Sequence, residues 1–261
     1  MLTLYHNPDC GTSRNVLHNL LRLGLKPVVV LYLEQPPPPA QLLRLAQASG
    51  LRLQELLRIK GSPYHALGLD APHWSDAQRL EHMQRHPILI NRPLLESPAG
   101  VRLCRPSDLM LDLLPGAAGL RLEKEDGTPL LRDSLVELDD PGLKQAWRAA
   151  GLPDLPTGAL AYRYATTDGD RVAHAAVSTA DGHAWLHGIA PEPAWRDAGA
   201  MAGVLALASR RAFDRGARQL WTNASQAGPA MTSGGWRSAG LPPASLKPST
   251  GADFLAREIS L

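Results

Sequence analysis

The first 33 residues set down an order of elements that few folds accommodate. Leu2 to His6 has a short strand pattern, Cys10 to Leu23 a helical one, and Pro27 to Leu33 is a strand rich in valine and leucine. A polar turn, Asn7-Pro8-Asp9, separates the first strand from the helix, and Cys10 falls where that helix begins. The first turn of a helix exposes unpaired N–H groups and the positive end of the dipole. Such a start binds anions and stabilises a thiolate in one place. Ser13, three residues on, adds a hydroxyl within reach of the sulfur. A fall in thiol pKa from ~8.5 to ~6.5 would raise the thiolate fraction at pH 7 from ~3% to ~75%, about 25-fold. A Brønsted slope of ~0.45 returns about 8-fold of that as lost nucleophilicity. The net gain in attack is only about threefold, but a low-pKa sulfur also leaves well. The segment suits a reaction in which one cysteine both attacks and departs. The competing reading, a buried structural thiol, sits poorly with so polar a turn.

Arginines recur at similar boundaries. Arg58 follows the apolar helical run Leu51 to Leu57, Arg92 lies in the strand-like run His86 to Pro93, and Arg105 closes another strand before Pro106-Ser107. Spacing alone does not bring them together, and a single arginine is most often a surface residue. The chemistry nevertheless calls for them. A thiolate approaching a doubly charged tetrahedral anion meets about 4 kcal/mol of repulsion per charge pair at ~4 Å and an effective dielectric near ~20. Guanidinium forks offset this and fix orientation better than ammonium groups do.

Composition bounds the rest. At 261 residues the chain is closer to two domains than one. Apolar residues make up 44% and charged residues 20%, which excludes disordered and fibrous classes. Apolar runs such as Val28 to Leu33 fall far short of the ~20 residues of a membrane span. No secretory signal opens the chain, and two cysteines, Cys10 and Cys104, fit a reducing cytoplasm better than a disulfide framework. Residues 1–131 carry 14 Lys/Arg against 12 Asp/Glu and residues 132–261 carry 13 against 13, so bulk charge draws no partner. Neither nucleic acid nor a membrane is expected to bind, and no metal.

Turn signals at Leu114 to Gly119 and at Glu125 to Pro129 punctuate the middle, and the expected domains are 1–131 and 132–261. In the first, Ala40 to Gln47 and Leu51 to Leu57 read as helices, and Pro36 to Pro39 as a stiff spacer ahead of a helix. In the second, Leu135 to Leu138 is a strand candidate and Asp140-Pro141 an N-cap opening a helix to Ala150. Ala159 to Ala165, Val172 to Ser178 and Ala184 to Ile189 read as strands joined by Asp168-Gly169 and Asp181-Gly182 turns. A helix over Ala198 to Arg215 and a strand over Gln219 to Asn223 follow, an α+β order.

With these residues in view, the first domain resembles the glutaredoxin-dependent arsenate reductase family. The resemblance rests on Tyr5 to Asn15, Leu31-Tyr32-Leu33-Glu34 with its prolines, Leu56-Leu57-Arg58, His86 to Pro93, Arg102 to Ser107 and Lys124-Glu125-Asp126-Gly127. It implies a thioredoxin/glutaredoxin-like α/β fold with a helical insertion and a cis bond before Pro93. It also implies Cys10 as the nucleophile, Arg58, Arg92 and Arg105 as oxyanion residues, and His6, Gly11, Thr12 and Ser13 as supporting groups. The substrate implied is arsenate, reduced to arsenite through a Cys10–As(V) intermediate, with glutathione as co-substrate and glutaredoxin as partner. No resolving cysteine stands at position 13, so electrons are expected from outside. Cys104 reads as a packed thiol.

The second domain, over about 133 to 245, resembles the Gcn5-related N-acetyltransferases, an α+β fold with a mixed sheet and helices. Trp185 to Leu205 carries the likeness: a strand, a turn and a helix whose first N–H groups would hold the pyrophosphate of acetyl-CoA. Arg196 and Gly199 match the family's loop, whereas Met201 replaces a small residue and Asp197 brings negative charge. The stretch Pro229 to Trp236 lacks the tyrosine acid of that family. Either an active acetyltransferase or a degenerate structural version is implied. Two competing functions stay open at this point: a non-catalytic thioredoxin-like adaptor, and an N-acetyltransferase with an auxiliary reductase-like domain. The convergence, or not, of the arginines on Cys10 separates them.

Overall fold

Strand β1 (Thr3–His6) leads through helix α1 (Gly11–Arg22) to strand β2 (Val28–Leu31), which lies parallel to β1 with His6 opposite Leu31. On its other side β1 pairs antiparallel with β3 (Leu94–Ser97), and β3 with β4 (Gly100–Leu103), giving the order β2-β1-β3-β4. The computed structural model describes residues 1–114, 116–117, 119–196, 198–223, 236–239, 241–246, 254–259 and 261. Its contacts divide the chain into two units, Met1–Ala117 and Ala118–Ser260.

The first unit is a thioredoxin-like α/β fold. Helix α1 buries Val16, Leu20, Asn19 and Ser13 and ends where Gly24 takes a left-handed φ of 73°. A helical insertion between β2 and β3 contains α2 (Pro39–Ala48) and α3 (Asp76–Arg85). The proline spacer feeds α2 directly, with Pro38 as N-cap and Pro39 in the first helical turn, where a missing N–H costs nothing. Ser75 caps α3, its hydroxyl accepting the Gln78 N–H at 3.3 Å while the Gln78 side chain returns to the Ser75 backbone N–H at 2.9 Å. Leu4, Val16, Leu20, Leu42, Leu45, Leu89 and Leu94 form the buried interior.

Two expected elements differ. Leu51 to Leu57 is not a full helix but a 3-10 turn over Leu53–Leu56. The backbone beyond it is diverted into pairing: Leu57 bridges Ile90, the Arg58 N–H donates to Leu89 O at 2.7 Å, and the Asn91 N–H to Leu56 O at 2.8 Å. The run before Pro93 is likewise a 3-10 turn (Pro87–Leu89) and this bridge; the strand β3 starts only after the proline. Proline at 87 opens the turn and proline at 93 withholds a ladder donor.

The second unit is a mixed sheet with helices. Its elements are β5 (Leu131–Val136), α4 (Pro141–Ala149), β6 (Leu160–Thr166), β7 (Arg171–Ala180), β8 (His183–Pro191), α5 (Ala198–Asp214), β9 (Gln219–Asn223), β10 (Arg237–Ala239) and β11 (Phe254–Glu258). The order is β10-β11-β9-β8-β7-β6-β5. Its pairs are antiparallel except β8 with β9, which run parallel over His183–Trp185 and Gln219–Trp221. Asp140 caps α4, accepting the Leu143 N–H at 2.8 Å. Asp181 and Gly182 both take positive φ, 50° and 77°, as a two-residue hairpin turn with right-handed strand twist requires. Strand β5 starts at Leu131, ahead of the expected Leu135, because Leu131 is buried and Asp133 binds the guanidinium of Arg211 at 2.6 Å.

Residues between 119 and 131 belong with this second unit rather than ending the first at 131 as expected. The Gly119 N–H donates to Thr167 O at 3.0 Å, the Leu122 N–H donates to Thr167 Oγ1 at 2.9 Å, and Glu123 bridges Pro129. Among the described residues no helix is long and apolar enough to cross a membrane.

Candidate active site

The cysteine loop leaves the sheet at the end of β1 and is held locally. The Asn7 carboxamide oxygen accepts the Asp9 N–H at 2.8 Å, the Cys10 N–H donates to Asn7 O at 3.1 Å, and Arg14 clamps Pro8 O at 2.8 Å. Cys10 thereby becomes the N-cap of α1, with extended backbone angles of −103° and 112°. An N-cap side chain faces the N–H groups of the second and third helical residues, here Thr12 and Ser13. The sulfur makes no capping hydrogen bond of its own, but the Ser13 and Thr12 N–H groups act on its charge.

Its electrostatics follow. Half-burial pushes the Cys10 thiol up, but the Ser13 N–H, the charges of Arg105 and Arg92, and the Thr12 N–H together bring it below the ordinary value. The contribution of Ser13 is its backbone; its buried hydroxyl accepts the Asn7 N–H at 3.3 Å and so ties the loop to the helix. Gly11 supplies the first residue of the helix and is half-buried with Thr12. His6, the last residue of β1, is buried with Nδ1 unpartnered, and burial, then the charge of Arg14, depresses its proton affinity.

The three arginines, distant in sequence, act on one another and on the sulfur. Arg58 is placed by the bridge to Leu89 and Ile90, and the charges of Arg92, Arg105 and Cys10 all act on it. Arg92 is buried behind a cis bond to Pro93, and one of its terminal nitrogens donates to Ile88 O at 3.3 Å. Arg105, before a cis bond to Pro106, donates to Arg92 O at 3.3 Å, and the Cys10 thiolate acts on its charge. Burial, then the neighbouring guanidiniums, lowers the proton affinity of Arg58. For Arg105, burial lowers it while the Cys10 thiolate opposes. The Nε atoms of Arg58 and Arg92 are buried with no partner among the described residues. Like charges crowded beside unfilled donors form an arrangement completed by an anion.

Sequence reasoning gave no role to Tyr32 or Asn91. Tyr32 is fully buried and lies among these charges, and the Asn91 amide nitrogen is buried without a partner. A polar residue directly after a strand parallel to β1 was the available signal for Tyr32. Cys104 is fully buried, its S–H donating to Arg102 O at 3.6 Å.

In the second unit Arg196 is exposed and Gly199 half-buried at the start of α5. Met201 does not crowd that helix start as its size suggested; it turns inward and is 5% exposed. Asp197 and residues 229–235 lie outside the described residues. Pairing of β8 with β9 stops at Trp185 and Trp221, while β8 continues to Pro191. Beyond Trp185 the Thr222 hydroxyl donates to Leu186 O at 3.0 Å, and among the described residues no further backbone pairing with β9 follows. His187 forms a bulge there, and its Nε2 lies 2.7 Å from Ser178 Oγ.

The profile of the ArsC family matches residues 5–113. An arsenate reductase of Escherichia coli is 47% identical over 133 residues, 51% of this chain and 94% of that protein. The solved structure of the arsenate reductase from Vibrio cholerae is 35% identical, covers 43% of this chain and 96% of its own, and has a TM-score of 0.42. An acetyltransferase of the GNAT family from Staphylococcus aureus Mu50 is 11% identical, covering 50% of this chain and 99% of its own with a TM-score of 0.39.

Proposed function

The chain belongs to the ArsC family through its first unit, and from that premise we propose that it reduces arsenate to arsenite with Cys10 as the nucleophile. The observation that carries this reading is the common electrostatic field of Cys10, Arg58, Arg92 and Arg105. An adaptor that only bound other proteins would have no use for one buried and two half-buried guanidiniums around a lowered thiol. Arsenate enters with its oxygens on the three forks, which offset its charge and that of the thiolate. The sulfur attacks arsenic, a sulfur–arsenic bond forms, and one oxygen leaves as water with protons from the anion and solvent.

Reduction of As(V) to As(III) takes two electrons, supplied when two thiols become one disulfide. Cys10 carries the arsenic and is regenerated, and the chain's other cysteine, Cys104, is fully buried. Both thiols are therefore external. Glutathione adds to arsenic with loss of water, and a glutaredoxin thiol attacks the glutathione sulfur to give a mixed disulfide and leave As(III) on Cys10. Water then releases arsenite and the free Cys10 thiol. A glutathione- and glutaredoxin-coupled NADPH assay tests this. We expect arsenate-dependent NADPH oxidation in the native chain, none in Cys10→Ser, and most of it in Cys104→Ser. Arsenite release without added thiol, or equal loss in both variants, refutes the scheme. The site is read as that of a soluble cytoplasmic enzyme.

A second reading concerns the second unit, and the parting of β8 from β9 favours it. An extended pantetheine arm would pair with the backbone of β8 beyond Leu186, with Arg196, Gly199 and the start of α5 following in the chain. The inward turn of Met201 and the absence of acidic residues from the first turn of α5 fit the diphosphate of acetyl-CoA. When bound, that group would supply an acetyl thioester.

A further inference from the structure

Tyr32 follows β2 directly. Because His6 stands opposite Leu31 in the parallel pair, the next residues, Asn7 and Tyr32, emerge side by side where the cysteine loop leaves the sheet. Ligands of parallel strands gather beyond those carboxyl ends. The tyrosine is fully buried, and the Asn7 carboxamide, whose oxygen already accepts the Asp9 N–H, offers its N–H to the phenolic oxygen. No acceptor for the phenolic proton is found among the described residues. The charges of Arg92, Cys10 and Arg58 act on the phenol. Arg105 feels Tyr32 in turn. A buried hydroxyl proton without an acceptor is destabilising, and phenylalanine would fill the same space without that cost. The phenolic proton thus has no acceptor, and neither do the Nε groups of Arg58 and Arg92, whose charges act on this phenol.

We propose that the Tyr32 O–H donates a hydrogen bond to an oxygen of the bound arsenate, making it a fourth donor of the anion pocket beside the three arginines. This rests on reading the pocket as an oxyanion site. Burial raises the phenol above its ordinary value despite the nearby Arg92, so it remains an O–H donor at neutral pH. No proton leaves the phenol in this role; the hydrogen bond orients the anion and strengthens as charge redistributes on its oxygens.

The test is Tyr32→Phe in the full chain, read in three ways. Protection of Cys10 from iodoacetamide by arsenate should weaken about 10- to 150-fold, as for a lost hydrogen bond to a charged group. The pH profile of alkylation without anion should stay within about twofold of the native one, since the thiol keeps its arginines and helix start. The melting temperature without anion should be equal or higher, because a hydroxyl proton without an acceptor is gone, while the rise caused by arsenate should shrink. A tyrosine serving only the packing would instead lower the anion-free melting temperature and leave protection unchanged, which overturns the proposal. A shifted alkylation profile with unchanged protection would place the phenol on the sulfur and overturn it as well. If arsenate protects native Cys10 but no arsenite forms with thiol donors, the reductase reading fails while Tyr32 keeps its role. If arsenate gives no protection at all, both fall.

Discussion

A guanidinium buried beside two others and a thiolate is useful only in proportion to how differently each neighbour feels its removal. Of the three, Arg105 acts most strongly on the Cys10 thiol and Arg92 next, both lowering it. Removing a positive neighbour raises the thiol's pKa, so alkylation near pH 7 should slow in Arg105→Ala and, less, in Arg92→Ala. It should change least in Arg58→Ala, and all should converge with the native chain above the ordinary thiol pKa of ~8.5. Arsenate turnover is a separate quantity. Each alanine variant should lose roughly 30- to 1000-fold in kcat/KM, about 2–4 kcal/mol of transition-state stabilisation. Lysine at position 92 should restore charge but not the two-pronged contact, and so only part of the rate. An arginine whose removal leaves kcat/KM unchanged does not touch the anion. At this scale Cys10 was legible in the sequence because its signal is local: strand, turn and helix start lie within about ten residues. The arginines were legible only as candidates. Their convergence depends on the bridge of Leu57 to Ile90 and on the turns before Pro93 and Pro106, pairings that no spacing rule contains.

Elements were legible where their boundary chemistry is local. Helix α1, the Pro39 and Asp140-Pro141 starts, the hairpin at Asp181-Gly182 and strand β9 all carry their own caps or turns. The Leu51 to Leu57 run failed as a helix because its end is captured by a distant segment. The bulge in β8 was equally hidden, and it carries a titration. His187 is buried and its pKa is lowered to about 4 from 6.5 by that burial. The unfolded ring takes up a proton near 6.5 and the folded ring does not, so folding stability is full above pH 6.5 and declines as pH falls toward 4. Over that window the loss from this one group is about 3 kcal/mol, at ~1.4 kcal/mol per pH unit, and it levels off below the folded pKa. Buried His174, also pushed down by burial, adds a slope of the same sign. Urea unfolding followed by tryptophan fluorescence between pH 7 and 4.5 should show a smaller acid loss in His187→Gln, which can still meet Ser178. Parallel pH slopes in the two chains would show that His187 is not the group responsible.

At the scale of the whole molecule the sequence pointed to two units, and each keeps its own interior and its own chemistry. The boundary was the part least legible. Turn signals stand at both 114–119 and 125–129, and the bonds of Gly119, Leu120 and Leu122 to Thr167 with the ion pairs of Arg121 to Asp168 and Asp170 assign the intervening segment to the second unit. Likewise the size of Met201 argued against an open helix start, because sequence does not say which way a side chain on a mostly apolar helix points; burial answers it. If the second unit holds acetyl-CoA along the free stretch of β8, binding should need neither the thiol nor the arginines of the first. Acetyl-CoA titrated into the full chain should therefore release heat with the same dissociation constant in the native protein and in Cys10→Ser. Gly199→Asp, which puts a carboxylate at the start of α5, should weaken binding at least tenfold through repulsion of the diphosphate. Arsenate turnover in Gly199→Asp should stay native, because no residue of its chemistry lies in that unit. Absence of heat in the native chain would leave the parted strands a structural feature of the sheet. A loss of binding in Cys10→Ser would show that the two chemistries are not separable, against the division of contacts between Ala117 and Ala118.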